Sequence, residues 1–192
     1  MSDMKVTAML LAAGRGERMR PLTDVTPKPL LPVRGKPLMQ WSMEALARGG
    51  FTRLVVNTAW LGDQIEQTFG SVFVRQPPPG SHDRLLNQEP LQISYSHEGR
   101  DFGGALETAG GVSRALPLLC PVDAQGESSG VFWVLAGDVF APDFVFSPAA
   151  VERFAASGLL AHLWLVPNPA HNPTGDFGLG SDGLARKQTG VK

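Results

Sequence analysis

The residues best suited to chemistry cluster near the start of the chain, in "LLAAGRGERMRPLTDVTPKPLLPV" (10–33). Gly14 and Gly16 follow an apolar run and let the backbone turn tightly, with N–H groups free to face an anion. Arg18 offers a planar fork for phosphate oxygens, while Lys28 is a point charge on a flexible stem. Together these cations can hold a polyphosphate from opposite sides. Far along the chain, Asp138 ends the apolar run "VFWVLAGD" (131–138). A carboxylate there either opens a turn or holds a hard cation such as Mg²⁺ beside phosphate oxygens.

Neither of the two best-known phosphate loops fits. The dinucleotide fingerprint G-x-G-x-x-G needs a third glycine where Met19 stands. The P-loop needs G-K-[ST] after its spacer, and nothing following Gly14 or Gly16 supplies it. An NAD-type oxidoreductase is the weakest reading for that reason. A lone G-x-G is more often a solvent loop, but the extended run of glycines, cations and prolines is not explained that way.

The elements that must position these groups alternate. "KVTAMLLAA" (5–13) reads as a strand buried on both faces. A helix over 36–50 follows, closed by Gly49 and Gly50, then a strand over 53–57 and a helix over 61–70. Strand 91–95, helix 106–119, strand 131–139, a serine-capped helix 147–158 and strand 159–168 complete the order. This alternation predicts an α/β fold: a Rossmann-like three-layer sandwich with a mostly parallel central sheet and helices on both faces. One domain spans 1–179, with loop excursions at 71–90 and 117–130 and a frayed or truncated tail at 180–192. Parallel sheets bind ligands beyond the carboxyl ends of their strands. Leu11, Asn57, Asp138 and Asn168 are all expected at that edge.

The bulk numbers narrow the classes. A net charge of −1 gives no general attraction to nucleic acid or an anionic membrane, so any phosphate must be held by local charge. The single cysteine, Cys120, excludes an intrachain disulfide and a Cys-cluster metal site, and suits a cytoplasmic protein. No apolar run has the length of a membrane span, and the short N-terminal run reads as the first core strand rather than a signal peptide. His82, His97 and His162 show no metal-ligand spacing.

Residues 11–33 resemble the signature of the sugar-phosphate nucleotidyltransferases, L-A-A-G-x-G-x-R-[ML]-x-P-L-T followed by P-K-x-L-x-P-V. Within that superfamily, "AWLGDQIE" (59–66), "LETAGG" (106–111), "AGDV" (136–139) and "NPAHNPTGDF" (168–177) look like the branch that joins N-acetylmuramate 1-phosphate to UTP in peptidoglycan recycling. The resemblance implies that Leu11, Ala12, Ala13, Gly14, Arg15 and Gly16 lie against the nucleotide, with Arg18 and Lys28 catalytic. Asp138 would be both catalytic and the Mg²⁺ ligand. Glu98, Glu107, Thr108 and Gly110 would contact base or ribose, with Gly110 and Gly111 allowing a flat base to approach. Asn168, Gly175 and Asp176 would line the sugar side; His171 either touches the sugar's carboxylate or, as is commoner for a lone histidine in a polar loop, is simply solvated. The partners implied are UTP and a sugar 1-phosphate, for a monomer or weak oligomer. The family pattern also leads to a later W-x-D-x-G-T stretch whose aspartate is a second Mg²⁺ ligand; no such aspartate follows Asp182. Close alternatives are a guanylyl- or thymidylyltransferase for another sugar 1-phosphate, and a nucleotide-sugar sensor or fragment that binds without turnover.

Overall fold

The computed structural model describes residues 6–76, 89–122, 126, 128, 130–168, 170 and 172–187. The chain divides into two compact units, 1–151 and 152–192. In chain order the first contains β1 (Thr7–Leu11), α1 (Leu22–Val25), β2 (Pro32–Val33), β3 (Lys36–Pro37), α2 (Leu38–Arg48) and β4 (Arg53–Thr58). Then come α3 (Gly62–Phe69), β5 (Val72–Phe73), β6 (Leu91–His97), α4 (Glu98–Phe102), α5 (Glu107–Leu119) and β7 (Phe132–Ala136). Helix α6 (Pro148–Ser157) begins in this unit.

The central sheet has five strands in the order β5-β6-β4-β1-β7. β6, β4, β1 and β7 run parallel, and only the short edge strand β5 is antiparallel. Both faces are covered, as the continuous apolar runs of β1 and β4 require. Ala8, Leu10, Leu54 and Val56 pack with Met39, Met43 and Leu46 of α2 and Ile65 of α3. The alternating partners Met9 and Val55 point the other way, onto Ala115 and Leu119 of α5. Each fully buried side chain of this kind contributes about 1.5–3 kcal/mol relative to exposure. The two-residue period therefore locks the register, because a one-residue slip would exchange the faces. Phe51, Trp133, Phe144 and Phe146 extend the first layer with edge-on ring contacts.

Strand order fixes where a ligand goes. From β1 the chain steps to β4 and on to β6, then returns to the opposite side of β1 for β7. The order reverses between β1 and β7, and the crevice beyond their carboxyl ends is the switch point of an open parallel sheet.

Several expectations are corrected. Residues 159–168 form no strand and are exposed throughout, with Leu160 and Val166 fully or largely in solvent. An apolar run shows what favours burial, but a strand also needs a neighbour to accept its ladder bonds, and none pairs with this segment among the described residues. Asn168 therefore does not end a sheet strand. The strand predicted over 131–139 stops at Ala136, whereas the helix predicted over 106–119 is α5, which runs to Leu119 as expected and takes up the first residues of the 117–130 excursion. The 71–90 excursion contains β5, while 77–88 lie outside the described residues. In the second unit, β8 (Phe177–Leu179) pairs with β9 (Ala185–Lys187), so residues 180–187 form a turn and return strand instead of a frayed end.

Candidate active site

The loop leaving β1 is built by residues that satisfy one another. Gly16 takes the left-handed conformation, at φ 69°, that opens the 3-10 turn Glu17–Met19. A Cβ on it would lie 2.9 Å from the Thr23 methyl. Thr23 is fully buried, and its hydroxyl donates to the Gly16 carbonyl at 2.9 Å. The Thr23 carbonyl in turn accepts from Arg15 at 2.7 Å and from the Trp60 indole at 2.8 Å. Arg15 also pairs with Asp24 at 2.6 Å, and its guanidinium carbon sits over the Trp60 ring, 3.7 Å from its centre. The Asp24 carboxyl is held below the usual carboxylate range, chiefly by the hydrogen bond from Arg15 and further by the charge of Arg20. Arg15, expected on the nucleotide, thus braces the loop with its guanidinium while also lining the adjoining cavity. Gly14 and Gly16 keep backbone N–H groups without a hydrogen-bond partner among the described residues. Such donors suit an incoming anion.

This loop forms one wall of a cavity of about 640 Å³, within the range of small-molecule sites. The expected nucleotide contacts Leu11, Ala12, Ala13, Gly14, Arg15 and Gly16 all line it. So do Arg18, Lys28 and Asp138, brought together from segments far apart in sequence. The Lys28 Nζ stands 2.6 Å from Asp138 Oδ2, both side chains partly exposed. Arg18 is exposed and makes no ion pair among the described residues. Its charge is therefore available, whereas that of Lys28 is shared with Asp138.

Across the cavity stand Glu98, Ala105, Glu107 and Thr108. Glu107 takes the left-handed region at φ 59°, which a non-glycine residue adopts only under local strain. Gly110 does not line the cavity. It tucks under Leu106, where a Cβ would meet the Leu106 side chain at 2.9 Å. Gly111 faces Glu98 and Asn57 rather than open space. Glu98 is fully buried, and both its oxygens have protein partners, Asn57 and the Leu106 N–H, each at 2.7 Å. Asn57 also lines the cavity, and sequence reading placed it at this edge without a role. The signal was available: a polar residue closing the buried strand "RLVVN" must find partners.

The expected sugar-side residues lie in the second unit. Asn168 donates to the Pro173 carbonyl at 3.0 Å, and Gly175, at φ 65°, comes so close that a Cβ would clash with the Asn168 amide. Asp176 accepts a long bond from Asn172 at 3.5 Å. The loop brings Asn168 and Gly175 together; His171 lies outside the described residues.

The family model for nucleotidyl transferase matches residues 7–181. The chain is 47% identical, over 94% of its length, to N-acetylmuramate alpha-1-phosphate uridylyltransferase of Neisseria meningitidis serogroup B. It is 31% identical, over 97% of its length, to the protein of the same name from Caulobacter vibrioides. The matches span 68% and 69% of those relatives, about two thirds of their length. Among solved structures, HddC from Yersinia pseudotuberculosis complexed with GMP-PN matches with a TM-score of 0.60 at 19% identity, covering 94% of this chain and 67% of that one, a likeness of fold. With a loop, cation pair and carboxylate at the switch point of a parallel sheet, and a family model matching nearly its whole length, the chain belongs to the nucleotidyl transferase family.

Proposed function

We propose that the protein joins N-acetylmuramate 1-phosphate to UTP, forming the UDP-sugar and releasing pyrophosphate. The observation carrying this reading is the convergence of the Gly14–Gly16 loop, Arg18, Lys28 and Asp138 on one cavity faced by Glu107 and Thr108. The substrate assignment draws on the names of the two uridylyltransferases that the chain resembles.

The chemistry asks little covalent work of the protein. A sugar-phosphate oxygen attacks the α-phosphorus, the bond from that phosphorus to the bridging oxygen breaks, and pyrophosphate leaves with the electron pair. Positioning and charge neutralisation dominate such a transfer. Arg18 and the free N–H groups of Gly14 and Gly16 hold the leaving pyrophosphate, and Lys28 neutralises charge at the α-phosphate. Thr108 and Glu107 contact the base or ribose, while Asn168, Gly175 and Asp176 are the proposed sugar-side contacts.

Mg²⁺ is part of the proposal, with Asp138 as its protein ligand. No group of three or more His, Cys, Asp or Glu residues suited to a metal occurs among the described residues. A single carboxylate beside a phosphate cavity is instead the donor set for a small, hard cation that keeps water and takes phosphate oxygens. The residues fit that ion. Bound there, it would offset the charge of the triphosphate. No helix among the described residues is long and apolar enough to cross a membrane. On this reading the protein works in the cytoplasm, on a cell-wall sugar being recycled.

Turnover of a panel of nucleoside triphosphates and sugar 1-phosphates, read as pyrophosphate release, tests the assignment. UTP with N-acetylmuramate 1-phosphate is expected to give the highest kcat/KM. Preference for GTP with mannose 1-phosphate overturns the substrate assignment, and binding without turnover of any pair overturns the catalytic one.

A further inference from the structure

Within the cavity wall lies a buried polar relay that the transfer chemistry does not use directly. Asn57 is 3% exposed, and its Oδ1 accepts the Ala12 N–H at 2.8 Å. Its Nδ2 donates to Glu98 Oε1 at 2.7 Å, and Glu98 Oε2 accepts the Leu106 N–H at 2.7 Å. The relay thereby ties the first residue of the phosphate loop, the end of β4, the first turn of α4 and the start of α5. An amide has one accepting and one donating end, so only this orientation of Asn57 serves both neighbours. Room for it comes from Gly111. A Cβ there would lie 2.5 Å from Glu98 Oε1 and 2.9 Å from Asn57 Nδ2. A carboxylate with no exposure is costly to keep, and a branched apolar side chain would serve mere packing better. What the carboxylate adds is direction: it accepts on both sides and fixes the donor end of Asn57.

We infer that Asn57 and Glu98 are positioning residues for nucleotide binding. They hold the phosphate loop, 12–16, and the base-facing segment, 105–108, at a fixed separation, so that one nucleotide spans a preformed cavity. Every side-chain nitrogen and oxygen of the pair already holds a protein partner, and both residues act on the site through Ala12 and Leu106. Affinity gained this way comes from order already present in the free protein. The inference rests on the reading of the cavity as a nucleotide site.

A polarity swap tests it. Glu98→Gln puts an NH₂ group either against the Asn57 NH₂ or against the Leu106 N–H, so one buried donor loses its acceptor. Asn57→Asp removes the Nδ2 donor and sets two buried carboxyl groups against each other, which can bond only at the cost of taking up a proton. In the double variant N57D/E98Q the bonding closes again. The new carboxylate at 57 accepts from Ala12 and from the new amide at 98, whose oxygen accepts from Leu106. The charge is unchanged and only the central bond is reversed. Calorimetric titration with UTP and Mg²⁺ is run on the wild type, both single variants and the double, each with its thermal midpoint and its KM for the sugar phosphate. An unsatisfied buried donor corresponds to a loss of about tenfold in affinity. Each single variant is therefore expected to bind UTP about tenfold or more weakly, and the double to return to within about threefold of wild type, with sugar-phosphate KM unmoved in all. If the single variants do not fold, the double alone decides, since it must fold and bind nearly as wild type. Thermal midpoints that fall and recover while UTP affinity stays constant overturn the inference, as does a folded double variant that still binds tenfold weaker. A wild type that binds no triphosphate instead removes the nucleotide reading itself, and the inference with it.

Discussion

Lys28 and Asp138, whose side chains the proposed chemistry needs most, pair with each other 2.6 Å apart. On the proposed chemistry a triphosphate would take Lys28 from Asp138, and a divalent cation on Asp138 would release Lys28 for phosphate, so the two ligands would help each other. The pair is partly exposed and worth roughly 0.2–1 kcal/mol, so the competition is mild. It is measurable by separating binding from turnover. In cation-free buffer, Asp138→Asn is expected to bind triphosphate as well as or a few-fold better than wild type, because Lys28 is unpaired and a negative charge is gone. Its turnover with Mg²⁺ should nevertheless collapse. Lys28→Met should lower turnover by about 10²–10³, the range for losing a donor aimed at developing charge. Weaker cation-free binding by Asp138→Asn would show that Asp138 organises the cavity rather than restrains Lys28.

At the scale of elements, the chain announces what repeats and conceals what is joined. β1 and β4 are legible because burial on both faces demands unbroken apolar runs, and α2 because its buried residues recur at helical spacing. α4 is not, since five residues, "EGRDF", are too few to show a period. The apolar run 159–168 misleads because composition says nothing about a pairing partner. In the site, charged side chains and glycines reveal the loop, but the link from Asn57 to Glu98 joins positions 41 residues apart and depends on distance alone. A smaller link of this kind, from β6 to the end of α3, has a pH signature. Tyr95 of β6 donates to the Gly70 carbonyl at 2.7 Å. Burial, with the Glu66 charge adding, pushes its phenol up to about 12 from 10.0. The folded form therefore holds its proton where the unfolded chain has lost it. Its contribution is complete below pH 10 and declines as pH rises through 12. The thermal midpoint of wild type should fall over that window, and Tyr95→Phe should fall less steeply while losing roughly 1 kcal/mol at neutral pH. Because this is the only tyrosine in the chain, tyrosinate absorbance reports its ionisation directly.

Across the molecule, the proposed site draws on the ends of β1 and β7, on the Lys28 turn, and on the segment that opens α5. A ligand spanning it bridges segments that must separate when the first unit unfolds, so binding and global stability are linked. The linkage is RT ln(1 + [L]/Kd), about 2.7 kcal/mol at a hundredfold excess over Kd. For a chain of this size each kcal/mol moves the midpoint by roughly 2–4 °C, which gives a shift of about 5–10 °C. The identity of the ligand decides how much of the site contributes. On the proposed reading pyrophosphate would reach Arg18, Lys28 and the free N–H groups of the loop but not Glu107 and Thr108, whereas UTP would engage both walls at once. With Mg²⁺ and at equal concentrations, UTP is therefore expected to raise the midpoint more than pyrophosphate, and more than the adenosine, cytidine or guanosine triphosphates. Equal shifts from all four triphosphates would mean that the wall carrying Glu107 and Thr108 does not read the base. A larger shift with GTP would transfer the assignment to a guanylyltransferase while leaving the phosphate side of the site as described.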